Sequence, residues 1–472
     1  MLFVWPCAVA LVLCSIYGQQ AFGATVKTRV TGAANWNTVA TWIQIRTGTA
    51  AFTNGSANVT GTGTSFTTEL QVGDILILDA SPGTVRGTVL SIQSNTQLTL
   101  TANAGATASG AYGREQVPGA SDDVQIGNTA LSSVVTITLD ASSATVSSLT
   151  FVAQNLSNSL THSGSNTLTV NNNVTINQPT GSQTIAWNIN AGTATVSGNV
   201  NIGGTNTSTG RIAKIAITTG TLTIAGDLIY NSSASAGTQV TAVVSMSGGA
   251  GTLNLAGSLT LTNGTGTLTP GTTSRVVYNG TGAQTVTFAS AITYNDLTID
   301  KSSGTATLGA ATTTGGALTL TQGALSAGAS NFNLTVGGNW TNNGGTYSGG
   351  SSTVTLTGVT GTIGGTTSTT FPGLSIDAGS AYTMNNDNSC SSLNFVASGT
   401  ATSLTHSSGT ALTVNGAVTI NQPTASIITA WNINAGTATV SGLITFAGAN
   451  TTAARVGKIV ISTGTLNANG GI

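Results

Sequence analysis

From about residue 124 onward, the chain is written in short alternations of aliphatic and small polar residues. Thr167-Leu-Thr-Val170, Val174-Thr-Ile176, Thr193-Ala-Thr-Val196, Thr221-Leu-Thr-Ile224, Thr252-Leu-Asn-Leu255, Leu318-Thr-Leu320, Leu334-Thr-Val336 and Leu412-Thr-Val414 share this pattern. Each sends a Leu, Ile or Val to one side and a Thr or Asn to the other, the period of a half-buried strand. Most are followed within a residue or two by Gly or Asn, residues that supply the positive φ of tight turns. Helical periodicity is absent beyond the first residues, because Thr and Gly are poor helix formers and charged i,i+4 pairs are lacking.

The strands belong to a longer repeat. Residues 147–222 align with 391–466 at a constant offset of 244 without a gap, and 47 of the 76 positions are identical. The segment Ala186-Trp-Asn-Ile-Asn-Ala-Gly-Thr-Ala-Thr-Val-Ser-Gly198 recurs unchanged at Ala430–Gly442. A weaker repeat relates Ser274–Asp300 to Ser352–Asp377.

Two all-β architectures accommodate many short strands. Tandem β-sandwich modules return every 80–100 residues or so, each with its own aromatic core. A right-handed parallel β-helix stacks short strands coil on coil, with small turn residues and inward aliphatic ladders. Aromatics make up only 5% of the chain and the strands return at uneven steps of 20–30 residues, which favours the β-helix. Residues 124–472 then make roughly 15 coils, a rod on the order of 70 Å long at the usual strand spacing.

Charge sharpens this picture. Only 23 of 472 residues are charged, 11 Lys+Arg and 12 Asp+Glu; that is 5%, against about 25% in an ordinary domain. Like charges stacked about 4.8 Å apart would repel, whereas Thr and Asn ladders hydrogen-bond across that distance. A net charge of −1 offers no electrostatic footprint for nucleic acid or an anionic membrane. Eleven of the charges lie at or before Asp123, which marks a boundary.

Within that charge-richer part, Gly61-Thr-Gly-Thr-Ser-Phe66, Leu70-Gln-Val-Gly-Asp-Ile-Leu-Ile-Leu78 and Ile92-Gln-Ser-Asn-Thr-Gln-Leu-Thr-Leu100 follow one another. This run resembles a small β module of phage tail and bacterial surface proteins. The flanks, Asn35-Trp36 with Thr41-Trp42 and Val117-Pro-Gly-Ala-Ser-Asp122-Asp-Val-Gln-Ile126, read as two halves of one motif. Joined, they resemble the opening of bacterial secreted surface β-helix proteins, filamentous-hemagglutinin-like or autotransporter-passenger-like. The resemblance implies an exported, adhesin-like protein. It divides the chain into an N-terminal cap with the first coils (24–42 and 115–146), an inserted module (43–114) and a repetitive β-helix (147–472).

Residues 1–23 read as a signal peptide: an apolar run from Leu2 to Tyr17, then Ala21 and Gly23 placed for cleavage before Ala24. Cys7 and Cys14 leave with it, and the single remaining Cys390 forms no internal disulfide. No later stretch is long and apolar enough for a membrane-spanning helix. The chain ends at Gly470-Gly-Ile472, a few residues into the stretch that the first copy continues as Ile224-Ala-Gly-Asp-Leu-Ile-Tyr230, so the sequence reads as part of a longer protein.

Candidate chemistry is sparse. His162 and His406 are one position in two copies, each in Leu-Thr-His-Ser without a second ligand nearby. The adjacent Asp122 and Asp123 are the candidates for a metal, although no EF-hand or nonapeptide calcium loop accompanies them. Asp296 and Asp300 share strand parity, but their second-copy counterparts are Gly373 and Asp377, so a glycosidase pair is not kept. Trp187 and Trp431 alternate in step with Ile189 and Ile433, which places them in the core; the sharper reading is a platform for stacking sugars. Arg211 with Lys214, and Arg455 with Lys458, are the local basic pairs and the other candidates for glycan contact. Thr-x-Thr strands on a flat face also raise ice binding, against which the uneven intervals argue. The sequence therefore predicts an exported, non-enzymatic structural or adhesive stalk. No cofactor is expected, and the partner would be a surface ligand such as a glycan or another extracellular matrix component. A carbohydrate-binding or polysaccharide-degrading β-helix is the rival.

Overall fold

The computed structural model describes residues 24–205, 210–231, 242–263, 266–287, 292–448 and 454–472. The signal peptide expected over 1–23, with Cys7 and Cys14, lies outside the described residues. The chain is all-β: its described helical pieces are the short segments Val39–Thr41 and Phe66–Glu69. The architecture is a right-handed parallel β-helix of about 13 turns, not tandem sandwiches. The count falls below the roughly 15 expected because the N-terminal coils are long. Ser143, Thr167, Thr193, Thr221 and Thr252 stack directly on one another, at sequence steps of 24, 26, 28 and 31.

Three parallel faces make each coil. The first begins with Asp123–Ile126, Ser148–Phe151 and Val174–Asn177, and the second with Val135–Leu139, Ser159–His162 and Thr184–Asn190. The third runs from Ser143–Val146 through Thr167–Val170 and Thr193–Val196 to Val456–Ile461 as one uninterrupted sheet. In the C-terminal half the first-face position is taken by a sheet from Thr369–Phe371 to Thr465–Ala468. The second is taken by a sheet from Thr293–Tyr294 to Ile444–Ala447. The inward Leu, Ile and Val side chains of all three faces merge into one buried cluster reaching from Val26 to Ile444. Burying such continuous aliphatic ladders stabilises the rod by about 25 cal/mol per Å² of apolar surface removed from water.

The duplicated segments do not sit on equivalent faces. Thr184–Asn190 lies on the second face, whereas its copy Ile428–Asn434 lies on the third. Likewise Thr193–Val196 lies on the third face and its copy Thr437–Val440 on the first. Along the third sheet, ten steps separate Thr193–Val196 from Ile428–Asn434. The 244-residue offset therefore winds through ten turns and one further face. The copies are turned by about a third of a revolution about the rod axis.

Corners are held by side chains as well as by backbone. Asn173 Oδ1 accepts from the Asn199 N–H (2.8 Å), Asn199 Oδ1 from the Asp227 N–H (2.8 Å) and Asp227 Oδ1 from the Ser258 N–H (2.7 Å). Each corner thus satisfies a backbone donor of the next coil. Asn190 and Asn434, one position in two copies, adopt φ of 51° and 49° at a bulge. Asn tolerates this left-handed conformation better than most residues. The Asn190 carbonyl there accepts from the N–H groups of Thr218, Thr219 and Gly220.

At the N-terminus, Thr25–Thr28 pairs in parallel with Asp123–Ile126 on one edge and antiparallel with the strand Trp42–Phe52 on the other. The first coil edge is therefore covered rather than open. Trp36 and Trp42 pack edge to face at 4.9 Å beneath it, with Trp42 Nε1 donating to the Trp36 carbonyl (2.7 Å). Residues 42–114 form an antiparallel array with a second buried cluster that includes Phe52, Phe66, Leu76, Leu98 and Tyr112. Lys27–Asp79 (2.8 Å) and Arg29–Glu115 pair strand Thr25–Thr28 and its continuation with the array and its exit, and Asp74–Arg114 (3.0 Å) lies within it.

Candidate functional site

The two histidines prove to be internal. His162 closes the strand Ser159–His162, and the next coil places Trp187 over it. Trp187 Nε1 donates to His162 Nε2 at 3.1 Å, and Trp431 Nε1 donates to His406 Nε2 at 3.0 Å. An accepting Nε2 assigns the proton of the neutral ring to Nδ1. In the first copy Nδ1 lies 3.1 Å from the Asn166 carbonyl. In the second, Nδ1 faces the backbone of Thr410, the counterpart of Asn166, without a close hydrogen bond. Burial holds both imidazoles below their ordinary pKa, since desolvation penalises the charged form.

This arrangement corrects the sugar-platform reading. Trp187 and Trp431 are fully buried, so neither offers a ring face to a ligand. Arg211 and Arg455 are half-buried at strand entrances. Their backbone carbonyls are approached by the side chains of Gln178 (3.5 Å) and Gln422 (3.0 Å). Arg455, Gln422 and the partly exposed Phe446 line a cleft of about 260 Å³. The structure does not unite the tryptophans with the arginines, because the former point inward and the latter sit at corners.

The metal candidates are also spent on structure. Asp122 is buried and accepts from Gln44 Nε2 (3.1 Å) and the Gly119 N–H (2.8 Å). Asp123 accepts instead from Ser148 Oγ of the next coil (2.6 Å). The two carboxylates thus face different partners, and among the described residues no group of three potential ligands gathers for a metal. Further along, Asp140, Asp227, Asp296 and Asp387 each accept from a backbone N–H of a neighbouring coil. Asp300 accepts from Gln322 of the coil above (2.9 Å) and does not join Asp296. Cys390 is buried between Phe371 and Val414 in its sheet, and burial pushes its thiol up to about 12, which leaves it inert.

One internal charge was not legible in the sequence. Lys301 is buried and donates from Nζ to the carbonyls of Gly280 (2.5 Å) and Gly282 (2.8 Å) and to Gln284 Oε1 (2.6 Å). All three ammonium donors are used, which offsets the desolvation that lowers its pKa. Nothing in the pattern Asp-Lys-Ser-Ser-Gly at 300–304 distinguishes this lysine from a solvated turn residue.

Compared with models of protein families, with curated proteins and with solved structures, the chain shows no significant match.

Proposed function

We propose that this chain is the shaft of an exported cell-surface protein, a structural or adhesive stalk without catalytic activity. The observation that carries this reading is how its carboxylates are used. From Asp122 to Asp387 the described acids with hydrogen-bonded side chains accept mostly from neighbouring coils, and none converge in a groove. Hydrolysis of a glycosidic bond canonically uses two carboxylates facing across that bond. What the geometry supplies instead is length and stiffness: about 13 turns at about 4.8 Å per turn give a rod of about 60 Å. A continuous aliphatic core runs along it, and such a rod holds whatever it carries away from a surface.

The test is twofold. Antibody labelling of intact cells that express the full gene should find the chain outside the membrane, and purified protein should leave polysaccharide chain length unchanged. Retention in the cytoplasm, or release of reducing ends from acidic or neutral polysaccharides, would overturn the reading.

A further inference from the structure

The third face carries an ordered array that the uneven sequence intervals conceal. Thr167, Thr193 and Thr221 stand directly above one another, and Thr169, Thr195 and Thr223 form a second column beside them. Ser143 and Thr145 extend the columns on one side, Thr252 and Asn254 on the other. No register shift interrupts these four pairings, so the changing coil length is absorbed outside the strands. Successive rows lie about 4.8 Å apart and the two columns about 6.6 Å apart, from strand spacing and twice the rise per residue.

What marks this array is that its two columns run side by side over successive coils, and it has two further properties. Its hydroxyls are unspent: Thr145, Thr167, Thr169, Thr193, Thr195 and Thr221 make no side-chain hydrogen bond within the described residues, and only Thr223 is used, by Asn254 (3.2 Å). Some other outward ranks are tied coil to coil, although Thr298, Thr319 and Thr341 form a shorter single column that is not. Thr161 accepts from Asn188 and Thr405 from Asn432, each at 3.1 Å, and Ser375, Asn394 and Asn421 form a chain. The array also carries no charge and no aromatic ring, and it ends where Arg275 enters the first column. Beneath it, Leu168, Ala194, Leu222 and Leu253 are fully buried, so the rows rest on a packed core.

We propose that this face binds the surface of ice. Each threonine offers a methyl and a hydroxyl on a grid whose repeats, about 4.8 and 6.6 Å, are comparable in size to oxygen–oxygen repeats of hexagonal ice, and the free hydroxyls can join that lattice. A sugar polymer fits the face less well, because it lacks the stacking rings that sugars use. The counterpart rows in the second copy, Thr437/Thr439 and Thr465/Asn467, fall on the first face. There Ala411 breaks one column and Asn467 ties Thr439 (3.3 Å). Binding therefore belongs to one face, and the proposal stands independently of the stalk reading.

The experiment is ice-affinity partitioning of the full chain into a slowly growing ice front, read against an inert protein. The protein should enrich in the ice fraction several-fold. Thr169→Tyr with Thr195→Tyr should abolish enrichment, and Thr413→Tyr on the first face should leave it intact. Circular dichroism should match among all variants. Exclusion of the unaltered protein from ice would overturn the proposal without touching the stalk reading. Enrichment lost only in Thr413→Tyr would overturn the assignment of the face. Pelleting with crystalline cellulose but not with ice would show a polysaccharide surface instead, and overturn it.

Discussion

Trp187 reaches across one coil step to donate its indole N–H to the Nε2 of His162 at 3.1 Å, and Trp431 repeats the contact with His406 at 3.0 Å. The bond requires a neutral imidazole. A second proton on Nε2 would set two donors against each other inside a core with no carboxylate beside it.

Stability should therefore fall in mild acid. Burial lowers both histidine pKa values in the folded state, while the unfolded chain keeps the ordinary value of about 6.5. The contribution is complete above that value. As pH falls below it, the unfolded state takes up protons first and stability declines. Urea midpoints at pH 7.5 and 5.0 should differ in this direction, and His162→Gln with His406→Gln should flatten the difference. Equal slopes in the variant and the parent would exclude the histidines as its source.

Truncating a core tryptophan should be costly and local. Trp187→Ala should destabilise by about 3–5 kcal/mol, as for large aromatic-to-small core changes. Trp187→Phe should cost about 1–3 kcal/mol, because the His162 acceptor is left unpaired. In a solenoid each coil contacts mainly its neighbours, so hydrogen exchange should quicken around residues 159–217 and stay unchanged near 404–461.

Lys301→Met should destabilise although it makes the interior less polar. It strands the carbonyls of Gly280 and Gly282 and the Gln284 amide oxygen, and orphaned buried acceptors cost about 1–3 kcal/mol each at most. A thermal midpoint at or above that of the parent would show that the ammonium contributes nothing net.

The scarcity of charge on the faces is itself testable. Thr169 and Thr195 are neighbours in one column, where two carboxylates about 4.8 Å apart would repel by about 1 kcal/mol in water. Thr169→Glu with Thr195→Glu should lose more stability than the two single changes summed. The excess should shrink as salt is raised from 20 mM to 1 M, in the direction of Debye screening.

At the N-terminal end, Arg29 is buried against Glu115 and donates from Nε to the Pro82 carbonyl at 2.9 Å. Arg29→Ala should cost about 3–5 kcal/mol, the usual penalty for leaving half of a buried ion pair. The loss should appear first in the packing of residues 74–82 against the first coil, read by limited proteolysis.

How far the sequence reaches depends on what each pattern encodes. Alternation such as Thr167-Leu-Thr-Val170 determines which side chains go inward, because successive residues of a strand point to opposite faces. Gly and Asn determine the corners, and sparse charge follows from stacking like on like. Together these made the parallel β-helix legible, along with the core position of Trp187 and the absence of a carboxylate pair at Asp296 and Asp300. Alternation is silent about which of three faces a strand joins, since that depends on the summed lengths of every intervening loop. Only the wound chain decides that 244 residues make ten turns and one face. Only there do uneven coils bring their threonines into register, His162 meet a tryptophan of the next coil, and Lys301 turn inward to three acceptors from another segment.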